Sequence, residues 1–267
     1  FTLNDKTYPL NANNAINSLH GGATGFHQVV WDVNQISDTT LELTYVSKDV
    51  EEGFPGTLSV RIMYSISDNN EVTIAYMANT DKPTIINLTH HSYFNLKDAG
   101  KSAIIDHQLE IAASKYTPVN SSLIPTGHIE TVGNTPFDFR IATEIGKQID
   151  QPNEQLQIAS GYDHNYVLDG EGLRWVATVK EPTSGRIMQV ITDTPGIQFY
   201  TGNHIHHDIL GKDNIRYGDR HGFCLETQCF PDSPNQAHFP STVLNPEDTY
   251  QSTTIYKFNV SSTQITV

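Results

Sequence analysis

Thr57-Leu58-Ser59-Val60-Arg61-Ile62-Met63-Tyr64-Ser65-Ile66-Ser67, then Asp68-Asn69-Asn70, then Glu71-Val72-Thr73-Ile74-Ala75-Tyr76-Met77-Ala78-Asn79-Thr80 is the stretch that decides the fold. Both flanks alternate apolar with polar residues and are rich in Val, Ile, Thr and Tyr, the pattern of a strand with one face buried. The Asp-Asn-Asn between them is a turn signature, so the two runs are expected to form a hairpin. Working outward, the same alternation recurs over Thr40 to Lys48, His107 to Ala112, Arg174 to Lys180, Arg186 to Thr192, Ile197 to Thr201, Gly222 to Gln228 and Thr253 to Asn259. Only Ile141 to Ile149 has a weak helical look. Strands at this density, separated by Gly, Pro, Asn and Asp, predict an all-β chain built as an antiparallel sandwich or barrel.

Large all-β folds often run to 267 residues as one unit, and no repeat, linker or low-complexity tract marks a boundary, so residues 1–267 are expected to form a single domain. Sixteen Lys and Arg against thirty Asp and Glu give a formal net charge of -14, which repels polyanions and argues against nucleic acid and anionic membrane as partners. A mean hydropathy of -0.39 accompanies the absence of any run of about 20 apolar residues, the length a membrane helix needs. Two cysteines, Cys224 and Cys229, are read as reduced thiols of a cytoplasmic protein. Phe1 enters an alternating stretch directly, with no charged and apolar leader, so the chain is expected to be cut at its start.

Two segments stand out chemically. In Asn87-Leu88-Thr89-His90-His91-Ser92-Tyr93, a strand continuing to His91 would put Asn87, Thr89 and His91 on one face and Leu88 and His90 on the other, which favours His91 for chemistry and His90 for structure. In Gly222-Phe223-Cys224-Leu225-Glu226-Thr227-Gln228, Glu226 sits in an otherwise apolar strand with Cys224 and Gln228 on its face. A carboxylate there is costly to desolvate unless it is paired or serves as a base. Leu19-His20-Gly21-Gly22, Gly161-Tyr162-Asp163-His164-Asn165-Tyr166 and Pro195-Gly196-Ile197-Gln198-Phe199-Tyr200-Thr201-Gly202-Asn203 add imidazole, carboxylate, amide and aromatic groups of the kind that line sugar clefts. His204-Ile205-His206-His207-Asp208 could attract a metal ion, but its spacing indicates no third ligand; no metal site and no cofactor are expected.

Taken together and in this order, these motifs, with Gly25-Phe26, Trp31, Phe94-Asn95-Leu96 and Phe230-Pro231-Asp232 through Phe239-Pro240, resemble the aldose 1-epimerases, or galactose mutarotases, from end to end. The resemblance implies a large antiparallel β-sandwich of the galactose mutarotase type and interconversion of the α and β anomers of free hexoses. It implies His91 as general acid and Glu226 as general base, with His20, Ser92, Tyr93, Asp163 and Gln198 contacting the sugar or orienting the pair. In that scheme Glu226 acts ionised and His91 protonated, with Asp163 a candidate neighbour favouring the imidazolium. His90 departs from the Asn that family members usually hold before the acid histidine. The family also has strands ahead of Phe1, including an Asn-Arg pair whose arginine binds sugar, and no counterpart is found in this sequence. Other readings are a non-catalytic sugar-binding module, a hexose-6-phosphate mutarotase, against which the sparse basic residues argue, and a glycoside hydrolase, which would use two carboxylates.

Overall fold

Alternating sequence becomes paired strand along most of the chain. The computed structural model describes residues 1–206 and 209–261, which divide into two compact units.

One unit comprises Phe1–Asp68, Val72–Leu88 and Asp232–Thr253. Its main strands are β1 (Asp32–Ser37), β2 (Thr40–Ser47), β3 (Leu58–Ser67) and β4 (Glu71–Thr80), hydrogen-bonded in the order β4-β3-β2-β1. The expected hairpin is β3-β4, and Asn70 takes the positive φ of 59° that suits Asn in a tight turn. Along β3, Leu58, Val60 and Ile62 are buried while Ser59 and Arg61 face out, which is the sequence alternation made physical. Every residue of β1 is exposed.

The other unit comprises Asn69–Glu71, Thr89–Pro231 and Thr254 onward. It contains β5 (Gln108–Ile111), β6 (Lys115–Thr117), β7 (Glu130–Thr131), β8 (Thr143–Glu144), β9 (Asp163–Val167), β10 (Arg174–Lys180), β11 (Arg186–Thr192), β12 (Gly196–Tyr200), β13 (Cys224–Gln228) and the greater part of β14 (Tyr250–Val260). One antiparallel array runs β8-β5-β10-β11-β14 and a second runs β7-β6-β9-β12-β13. The two arrays pack on each other: the Tyr256 hydroxyl of β14 donates to the Leu225 carbonyl of β13 at 2.8 Å, and the Thr227 and Thr254 hydroxyls meet. Beneath the second array lies an aromatic core. Phe199 stacks on Tyr162 at 5.2 Å and meets Phe139 edge-on at 5.7 Å, arrangements that suit the ring quadrupoles.

Two local expectations are corrected. Ile141 to Ile149 holds the short strand Thr143–Glu144 and a single 3-10 turn, Ile145–Lys147. The α-helix α1 lies instead at Glu154–Ala159, started by Asn153, whose side chain accepts from the backbone N–H of Gln155 and Leu156. The segment before His91 is strand only over Thr84–Ile85 and is irregular from Ile86 until Phe94.

Candidate active site

Strand alternation sets the site. Antiparallel pairing puts Asn165, Gln198 and Glu226 in one row across β9, β12 and β13, and Asp163, Tyr200 and Cys224 in the next. Residues two apart on a strand share a face, so all six belong to one surface, with His164, Phe199 and Leu225 on the reverse. His164 is fully buried there, its Nδ1 accepting from the Asp163 N–H at 3.1 Å, and burial pushes its pKa down to about 3. It is a neutral core imidazole.

His91 reaches this surface through one pair of backbone bonds. Phe94 N–H donates to Phe223 O at 2.8 Å and Phe223 N–H to Phe94 O at 3.0 Å, an isolated antiparallel bridge. The bridge anchors the irregular segment carrying His91 beside β13. The Asn95 side chain holds the far end by donating to the carbonyls of Ser102 and His221. His91 Nε2 stands 3.8 Å from Glu226 Oε1, and its Nδ1 stands 3.3 Å from Cys224 Sγ. Tyr93 stacks on the imidazole at 5.1 Å, and Tyr200 meets it edge-on at 6.1 Å. The side chain of Glu226 is 9% exposed and that of His91 34%, so the carboxyl is sunk and the imidazole lies nearer solvent.

Asp163 and Gln198 meet as the shared face requires: Gln198 Nε2 donates to Asp163 Oδ1 at 2.8 Å. Gln198 Oε1 and both side-chain polar atoms of Asn165 are buried with no hydrogen-bond partner among the described residues. Buried polar atoms of this kind are normally satisfied, so this floor has spare hydrogen-bonding capacity. Ser92 is exposed, and its N–H donates to His90 Nδ1 at 3.4 Å. His20 belongs to the other unit, where it is exposed at φ 54° with its ring edge-on to His27. The glycines after it serve that loop: a Cβ on Gly22 would stand 2.2 Å from Glu52 Oε2, and the Glu52 carboxylate accepts from the N–H of Thr24 and from Asn11. Asn203 is spent on structure, donating to the carbonyls of Ala159 and Tyr162 while a Cβ on Gly161 would meet its Oδ1 at 2.4 Å. That clasp fixes the start of β9, and with it Asp163.

Cys224 and Tyr200 are neighbours of His91 that the sequence reading passed over as site residues. Alternation already held them, two positions from Glu226 and Gln198. In the His204–Asp208 run, the rings of His204 and His206 are 6.1 Å apart, while His207 and Asp208 lie outside the described residues. Both cysteines are free thiols.

Electrostatics distribute the proton differently from the sequence expectation. Burial, and then the Asp163 charge, push Glu226 up to about 8. Burial also raises Asp163, partly offset by the Gln198 hydrogen bond, and lowers His91 below the usual imidazole value. Asp163 thus acts on Glu226 rather than favouring an imidazolium. Near neutral pH both shifts favour the uncharged forms, a carboxylic acid at Glu226 and a neutral imidazole at His91.

An antiparallel β scaffold that brings an imidazole beside a carboxyl, with amide and carboxyl groups on one sheet face, presents a polar surface suited to polyhydroxylated ligands. The family model described as aldose 1-epimerase matches residues 1–257. The chain is 44% identical over 262 residues to galactose mutarotase of Bos taurus, covering 98% of this chain and 75% of that protein. It is 35% identical to aldose 1-epimerase of Escherichia coli, covering 97% of this chain and 75% of that one. Among solved structures, an aldose epimerase homologue from C. elegans superposes with a TM-score of 0.89 at 27% identity, over 97% of this chain and 77% of that one. The chain belongs to the aldose 1-epimerase family. Among the described residues no helix is long and apolar enough to cross a membrane.

Proposed function

We propose that this chain is an aldose 1-epimerase, an isomerase that interconverts the α and β anomers of free hexoses such as galactose and glucose, with His91 and Glu226 as its proton-transferring pair. Residues 1–267 are taken as one mutarotase-like unit of function, acting on a small monosaccharide in the cytoplasm. The observation that carries the site assignment is the 3.8 Å approach of His91 Nε2 to Glu226 Oε1 over a face bearing Asp163 and Gln198. Opening a hemiacetal removes a proton from the C1 hydroxyl and adds one to the ring oxygen. Glu226 takes the first and His91 gives the second. Rotation about C1–C2 presents the other face of the aldehyde, and closure runs the same transfers backwards.

A pair carrying one proton in total can do this. After ring opening, that proton is on Glu226 and the imidazole is neutral, the arrangement that both shifts favour. Burial therefore supports the open-chain intermediate, while pyranose binding must return the proton to His91. Tyr93 and Tyr200 offer ring faces beside the imidazole. His20, Ser92, Tyr93, Asp163 and Gln198 complete the proposal as sugar-binding or orienting residues.

Polarimetry on freshly dissolved α-D-galactose tests it. The protein accelerates the change in rotation above the spontaneous rate, and His91→Asn loses about 10²–10⁴-fold of that rate. A wild-type rate equal to the spontaneous one overturns the function, and an active His91→Asn variant overturns the assignment.

A further inference from the structure

The imidazole of His91, the thiol of Cys224 and the carboxyl of Glu226 offer one donor atom each within 4.8 Å of one another. We propose that these three side chains form a binding site for a thiophilic divalent cation of the zinc and cadmium class, and that such an ion competes with sugar. The competition rests on the function proposed above; the site itself rests on geometry.

Ligand chemistry agrees with that choice. One sulfur, one nitrogen and one oxygen donor, with water as a fourth ligand, is a donor set zinc accepts, whereas magnesium and calcium take oxygen. Metal–ligand bonds of about 2.0–2.3 Å in a tetrahedron place donor atoms roughly 3.3–3.8 Å apart. Cys224 Sγ and His91 Nδ1 are 3.3 Å apart, so closing the set asks for movement of about 1 Å, within reach of side-chain rotation at Glu226. Two of the donors sit on a rigid strand two residues apart, and the third is tied to it by the Phe94–Phe223 bridge.

A bound metal takes Cys224 as thiolate and Glu226 as carboxylate, so each group must give up its proton. A divalent ion entering here displaces those protons: the thiol proton passes to solvent as the metal–sulfur bond forms, as does the Glu226 proton where it is still bound. Affinity therefore rises with pH. An ion so held occupies the proposed acid and base together.

Cadmium titration of the purified chain tests the site, read by the ultraviolet charge-transfer band of a cadmium–thiolate bond. One equivalent is expected to produce the band, Cys229→Ser to leave it unchanged, and Cys224→Ser to weaken binding more than about 100-fold, since a lost ligand exceeds the 10–100-fold typical of outer-shell partners. In the unaltered chain, galactose is expected to displace the band, and zinc to raise the apparent KM in polarimetry. Cadmium binding without a thiolate band, or a band lost in Cys229→Ser, overturns the site. A band that depends on Cys224 but persists in saturating galactose sustains the ion site and overturns the competition. Should Cys224→Ser fail to fold, displacement in the unaltered chain, with the Cys229→Ser control, still decides.

Discussion

Replacing Glu226 by Gln separates what this residue does from what it costs. The folded protein raises its pKa from 4.5 to about 8, and each unit of such a shift corresponds to about 1.4 kcal/mol. A group whose native pKa is raised binds protons more tightly folded than unfolded. Stability from this group is therefore full below the unfolded pKa and is lost as pH climbs to about 8. Keeping Glu226 costs about 3 kcal/mol at pH 7 and about 5 kcal/mol once pH exceeds the native pKa. Gln matches the shape of the protonated acid and has no proton to lose. Glu226→Gln should melt with the wild type near pH 4 and above it as pH rises, by roughly 10 °C near pH 9, taking about 2–4 °C per kcal/mol. The same variant should show no mutarotation above the spontaneous rate by polarimetry. Paired melts by calorimetry or fluorescence across pH give the first readout. A difference in melting temperature that does not grow with pH would refute the buried, proton-holding carboxyl, and retained catalysis would refute its role as base.

The pair should work only while it holds one proton, so kcat/KM measured by polarimetry should be bell-shaped, falling on the acid side below the usual imidazole value and on the alkaline side near pH 8. Asp163→Asn removes a charge that holds the proton on Glu226, and its alkaline limb should move to lower pH. Phe199 is fully buried between Tyr162 and Phe139, and Phe199→Ala should lower unfolding free energy in denaturant by about 3–5 kcal/mol.

Much of this was readable from alternation alone. Arg174–Lys180 and Arg186–Thr192 appear as strands with the bounds that their sequence predicts, because each buries one face of a paired strand. β9 was hidden: Asp163, His164 and Asn165 look like a polar loop, yet His164 and Asn165 are both buried, on opposite faces. The backbone there is paired on both sides and His164 Nδ1 bonds to its own strand, while His164 Nε2 and the Asn165 side chain are buried with no hydrogen-bond partner among the described residues. Strand alternation is not what places His91. The segment before it is not a continuous strand, and its position follows from the single bridge at Phe94, a long-range pairing that no local pattern announces. Glu226 was the clearest signal, since a carboxyl amid Phe223, Leu225 and Cys224 demands an explanation. The state of its proton was not legible, because that depends on burial and on Asp163, sixty-three positions away in sequence and on the same face.

Burial favours the acid form of Glu226 and the intact thiol of Cys224, so neither group brings a charge to this face near neutral pH. A neutral hexose that displaces water from these two groups strips no ion of its hydration shell, a penalty that an ionised pair would impose on every encounter. A phosphorylated sugar would bring its charge to a face where the charge acting on Glu226 is the Asp163 carboxylate, which disfavours ionised sugars before any hydroxyl is inspected.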